Sequence, residues 1–227
     1  MSNIQILKTS ITNLKVDVIV NAANQLLLPG GGVCGAIFRT AGPIRLAIAC
    51  AKIGGCKTGY AVITPGFKLQ AKYLIHTVGP RWKGGNQNEQ NLLYSAYIES
   101  LKLAKENDCH SIGFPLISSG IYSYPKDKAW ITALKACKDF IDCNSEYDIQ
   151  IVFSVIDDEL LSLGEIELCR RIVSEISNGC SYDLDMIVNK VISITYSIGG
   201  AFDEETLRAV AKTVVSSIKN MSNDGYI

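Results

Sequence analysis

Acidic residues are missing from a long stretch of this chain. Between Val18 and Asn88 there is no Asp or Glu, while Arg39, Arg45, Lys52, Lys57, Lys68, Lys72, Arg81 and Lys83 all fall there. Any carboxylate doing acid–base work must therefore come from elsewhere, and the unopposed cations favour an anionic ligand such as a phosphate. The deficit is local. Lys plus Arg and Asp plus Glu number 22 each, a formal net charge of zero, which argues against general nucleic-acid binding. Histidine is scarce as well: His76 and His110 stand alone, at neither HxxxH nor ExxH spacing. No two of the eight cysteines form a CxxC pair, so neither a metal site nor a cofactor is expected. No apolar run approaches the ~20 residues needed to span a bilayer. The start, Met1-Ser2-Asn3-Ile4-Gln5, lacks the layout of a signal peptide, so a cytoplasmic location without membrane contact is expected. In that setting Cys50, Cys56, Cys109, Cys137, Cys143, Cys169 and Cys180 are expected as reduced, small core residues.

What is present is globular. The chain has 227 residues, 48% hydrophobic and 19% charged, enough to bury a full core without staples. Short β-branched runs predict strands at Ile4–Leu7, Val16–Val20, Tyr60–Thr64, Tyr73–Val78, Ser111–Leu116 and Ile149–Val155. Helical periodicity marks Val33–Thr40, Ile44–Lys52, Glu89–Glu106 with Leu93, Tyr97, Leu101 and Ala104 on one face, and Lys126–Asp142 with Trp130, Leu134, Cys137 and Ile141. Strands alternating with helices imply an α/β fold with a largely parallel sheet, and ligands bind beyond the carboxyl ends of such strands.

After about Gly164 the pattern is helical only. One stripe holds Ile166, Cys169, Val173 and Ile176, a second Leu184, Ile187, Val188, Val191 and Thr195, and a third Leu207, Val210, Ala211, Val214 and Ile218. Asp203-Glu204-Glu205 opens the last helix, and Ser197-Ile198-Gly199-Gly200 breaks the chain before it. Residues 1–178 are thus expected as the α/β domain and 179–227 as a helical extension.

Two loops leave strands at the functional edge with unusual composition: Asn21–Val33 and Ile117–Ser123. Gly30-Gly31-Gly32-Val33-Cys34-Gly35 fits GxGxxG formally, but nine residues separate Val20 from Gly30, and no ribose-binding acid follows before Glu89. A Walker A loop fails for want of a terminal Gly-Lys-Ser/Thr. The physics of the glycines survives without either fingerprint. Residues lacking Cβ let backbone N–H groups approach an anion, and the following helix adds its dipole. Ser118-Ser119-Gly120-Ile121-Tyr122 would supply donors from across the sheet, so that the two loops clamp a diphosphate.

Val18-Ile19-Val20-Asn21-Ala22-Ala23-Asn24 followed by the glycine run resembles the first ligand loop of a macrodomain. Tyr73–Pro80 (YLIHTVGP) and Pro115–Tyr122 (PLISSGIY) resemble that family's later segments, in order. The resemblance runs from about Ile4 to Leu161, is greatest to the MacroD-type branch, and implies a three-layer α/β/α domain with a mixed, largely parallel sheet. It implies binding of ADP-ribose or a mono-ADP-ribosylated protein. It also implies hydrolysis of ADP-ribose from acidic side chains or deacetylation of O-acetyl-ADP-ribose. A non-catalytic reader is the alternative, its helical tail recruiting a partner or mediating self-association. By position, Asn24 would hold the distal ribose while Asn21 ties the loop. Gly31, Gly32 and Val33 would line ribose and diphosphate. Ser118, Ser119, Gly120, Ile121 and Tyr122 would grip the diphosphate from the far side, and Ile11 and Ala22 would border the adenine. Four positions depart from the family pattern: Ser10 replaces an Asp facing the adenine amino group, Ile156 an adenine-stacking Phe, Cys34 the catalytic-loop Asp and Phe38 its nearby His. The catalytic set implied is Asn24, Gly32 and Cys34, with Cys34 read foremost as packing at a helix start.

Overall fold

The computed structural model describes residues 3–177, 183–197 and 203–223. Strands β1 (Asn3–Lys8), β2 (Val18–Ala22), β3 (Ala61–Pro65), β4 (Tyr73–Thr77), β5 (Ser111–Phe114) and β6 (Gln150–Val155) form one sheet in the order β1-β6-β5-β2-β4-β3. Every neighbouring pair is parallel except β3 and β4. The loops that follow β1, β2, β4, β5 and β6 therefore open at one edge of the sheet.

The alternation of side chains on each strand builds two cores. Val18 and Val20 of β2 face α3 (Glu89–Glu106), α4 (Lys126–Cys143) and α5 (Asp158–Ser177). Ile19, between them, faces α1 (Gly32–Ala41) and α2 (Pro43–Ile53) with Ile37, Phe38 and Leu46. The result is the expected three-layer sandwich. Leu93, Tyr97, Leu101 and Ala104 of α3 are all fully buried, as their spacing predicts.

The structure corrects several expectations. β2 does not stop at Val20 but runs through Asn21 and Ala22, because Asn21 pairs with His76 of β4 and finds a side-chain partner there. The buried stripe of α5 is Leu168, Cys169, Ile172 and Val173, while Ile166 is exposed. Its helix starts at Asp158, six residues before Gly164. Cys143, on the last turn of α4, is exposed instead of buried, since it falls on the solvent side of that amphipathic helix. Cys34 and the remaining described cysteines are buried; Cys180, Met1, Ser2 and the Ile198–Gly200 break lie outside the described residues.

The extension forms α6 (Leu184–Ser197) and α7 (Glu204–Asn223). Asp203 accepts a capping hydrogen bond from the Thr206 N–H at 2.7 Å and bridges to Gln5 of β1. Ile187, Val188, Val191, Leu207, Ala211 and Val215 are buried in the same core as the α5 stripe and Ile4 and Ile6 of β1. Capping of the domain, a dimer contact and a partner contact were all open to these stripes, and the residues named here pack within the chain. They cover the flank of α5 that would otherwise face water. Among the described residues no single helix is long and apolar enough to cross a membrane.

Candidate functional site

The first loop is shaped by its own amide side chain. Asn24 Oδ1 accepts from the N–H groups of Leu26 and Leu28 at 3.2 and 3.1 Å, and Asn24 Nδ2 donates to the Leu28 carbonyl at 2.7 Å. Leu27 anchors the turn in the core at 1% exposure. Asn24 thus closes the loop through both ends of its amide, with one Nδ2 hydrogen left unused. The Cys34 thiol, 6% exposed, points under the same loop toward the Leu28 carbonyl at 3.8 Å.

The glycines that follow carry distinct constraints. Gly35 packs so closely that a Cβ there would lie 2.5 Å from the Gly30 carbonyl oxygen, so any larger residue would push α1 off the loop. Gly32 opens α1 at a φ of +58°, in open space, where an L side chain is strained. Gly31 faces the second loop: a Cβ there would meet Ile121 Cδ1 at 3.3 Å. The two expected ligand loops therefore stand opposite each other across the carboxyl edge of β2 and β5.

Among the described residues the N–H groups of Gly31, Gly32 and Val33, and of Gly120, Ile121 and Tyr122, donate no hydrogen bond. Six backbone donors are left for something else. Unpaired N–H groups converging at a helix start form an anion cradle. Neither loop contains a carboxylate to compete. Ser118 holds the second loop down. It is 7% exposed and seated against Gly79, whose missing side chain leaves room for its hydroxyl. Ser119 Oγ donates back to the Leu116 carbonyl at 2.8 Å and so serves the turn.

The remaining expected residues lie along the same edge. Ser10 follows β1 and exchanges a hydrogen bond with Thr12 Oγ1 at 2.9 Å. Ile156 follows β6 and is 74% exposed, beside the Thr9–Val155 hydrogen bond that joins the two strand ends. Ile11, only 4% exposed, packs its side chain in the core at this edge. Ala22, at the end of β2, is half-buried. Phe38 is fully buried behind α1.

Two sets of contacts do not follow from the sequence. Asn21 Nδ2 donates to His76 Nδ1 at 3.2 Å and approaches the Cys34 sulfur at 3.7 Å. On the other side of the ring, His76 Nε2 meets Thr64 Oγ1 at 3.0 Å and the Cys50 thiol at 3.9 Å. Burial pushes His76 down to about 4, so the imidazole is neutral at physiological pH. The signal was a lone His in an apolar strand, which residue spacing does not distinguish from an ordinary core histidine. The second set lies in the segment after Gly79. The Trp82 backbone N–H donates to the Tyr122 carbonyl at 2.9 Å, and the Arg81 guanidinium lies 4.5 Å from the Tyr122 ring centroid.

Comparison with known proteins places the fold. A family model described as Macro domain matches residues 20–133. The O-acetyl-ADP-ribose deacetylase of Escherichia fergusonii is 50% identical over 162 residues, 70% of this chain and 90% of that protein. Among solved structures, the Oceanobacillus iheyensis macrodomain with ADP superposes with a TM-score of 0.68 at 38% identity, covering 74% of this chain and 90% of that one. The Trypanosoma brucei macrodomain in complex with ADP-ribose does so with a TM-score of 0.66 at 37% identity, covering 71% and 67%. With the sheet order, the facing glycine and serine loops and this degree of identity in hand, the chain belongs to the macrodomain family.

Proposed function

We propose that the chain binds ADP-ribose between the Gly30–Cys34 and Ser118–Tyr122 loops and hydrolyses its esters. The substrates would be O-acetyl-ADP-ribose and mono-ADP-ribose on acidic side chains. The observation that carries this reading is the pair of opposed loops with six unpaired N–H donors and no carboxylate between them. The deacetylase name of a relative at 50% identity supports the ester as substrate.

Hydrolysis here proceeds without a protein carboxylate at the first loop. The loop N–H groups hold the diphosphate, Asn24 fixes the loop that borders the distal ribose, and Gly32 leaves space for a water beside it. Water attacks the ester, the bond between the carboxyl group and the sugar breaks, and ADP-ribose and a carboxylate are released. A diphosphate oxygen of the substrate accepts the water's proton as the bond forms. Cys34 stays out of this chemistry: its thiol is covered and turned toward the Leu28 carbonyl. Ser10 and Ile156 would border the adenine, with a hydroxyl and an aliphatic face in place of a carboxylate and an aromatic ring.

The test is calorimetric titration with ADP-ribose, followed by measurement of acetate released from O-acetyl-ADP-ribose. Binding with turnover supports the enzyme. Binding without turnover would make the chain a reader, and absence of binding by folded protein would remove the site.

A further inference from the structure

The segment after β4 carries charge that the ligand cleft does not use. Arg81, Lys83 and Lys128 are exposed, and among the described residues none of them forms an ion pair. Two are held on aromatic rings: Arg81 on Tyr122, and Lys128 with its Nζ 5.2 Å from the Trp82 centroid. Trp82 in turn packs edge-on against Tyr124 at 4.7 Å. The rings and the Trp82–Tyr122 hydrogen bond fix this cluster to the second loop. Glu89, the first acid after Asp17, makes no ion pair with it. Its carboxylate is buried and accepts the N–H groups of Lys83, Gly85 and Gln87.

We propose that Arg81, Lys83 and Lys128 form a docking patch for acidic residues that flank the modified side chain of a protein substrate. The inference rests on the reading that the cleft holds ADP-ribose. Tyr122 belongs to the cleft, and Arg81 covers one face of its ring. The patch therefore adjoins the cleft at Tyr122, and with the Tyr122 ring against the ribose, as the family resemblance implies, a polypeptide attached to that sugar would pass over it. Unpaired cations attract carboxylates there and reject basic segments. Three cations bounded by the Lys126–Glu159 ion pair suit a short acidic run, whereas a nucleic-acid backbone needs a longer track of phosphate contacts.

Calorimetry at low salt would use ADP-ribose itself and two peptides bearing ADP-ribose through a hydrolysis-resistant linkage, one flanked by Glu and one by Gln. The Glu-flanked peptide is expected to bind about tenfold more tightly than the Gln-flanked one, a gap that closes at high salt. The Lys83→Ala/Lys128→Ala double variant should erase the preference and leave ADP-ribose affinity unchanged. Equal affinity of the wild type for both peptides, or a preference that survives in the double variant, overturns the patch. So does an ADP-ribose-capped oligonucleotide that gains more than the Glu-flanked peptide. Failure of the wild type to bind ADP-ribose itself would instead overturn the reading of the cleft.

Discussion

Asn21 and His76 face each other across the β2–β4 ladder, with the Asn21 amide nitrogen 3.2 Å from His76 Nδ1. The amide donates, so Nδ1 must be the unprotonated nitrogen and Nε2–H points to Thr64. A second proton on the ring would set donor against donor beneath the first ligand loop. His76 therefore makes folding pH-dependent. Its value falls from 6.5 in the unfolded chain to about 4 when folded, so the unfolded state binds the proton first. Stability from this group is complete above pH 6.5 and is lost as pH falls toward about 4, by roughly 3 kcal/mol in all. Denaturation of wild type and His76→Asn across this window should give stability curves that converge at low pH. Curves that stay parallel would show that the ring titrates alike in both states.

The glycine loops give a second prediction, in which charge and backbone strain separate. Gly32→Glu introduces a negative charge but also a side chain at positive φ. Gly120 has open space around it and no such backbone constraint, so Gly120→Glu tests charge alone. Both variants should lose ADP-ribose affinity more than tenfold, while Gly120→Gln loses less because it adds bulk without charge. Unchanged affinity in folded Gly120→Glu would move the diphosphate away from the second loop.

Asn24 and Cys34 are expected to separate in turnover. Asn24→Ala removes three hydrogen bonds that close the first loop and should abolish most acetate release. Cys34→Ala removes a covered thiol and should keep a substantial part of it. Loss of turnover in Cys34→Ala, with ADP-ribose binding intact, would point to a thiol-based mechanism.

The extension should act on stability and not on the ligand. Leu207→Ala opens a cavity in a core shared with α5 and β1 and is expected to cost about 2–5 kcal/mol. Truncation after Ser177 exposes the flank of α5 that α6 and α7 cover and should cost more, yet ADP-ribose affinity of the folded fraction should stay unchanged. Both ligand loops precede that point. A drop in affinity without unfolding would bring the extension into the site.

Local patterning was enough for most of the framework. The β-branched runs and the α3 and α4 stripes gave strands and helices close to those observed, because alternation and 3.6-residue periodicity report burial directly. The acid-free stretch and the glycine loop already pointed to an anion, since both are properties of contiguous residues. What only the tertiary structure decided are relations between distant residues. Asn21 meets His76, Gly31 meets Ile121, and Gly79 makes room for Ser118. None of these follows from spacing along the chain, because each depends on which strands become neighbours. The same holds for the last two helices: their stripes announced that something would be buried, and the packing of α7 against β1 and α5 settled that the chain buries them itself.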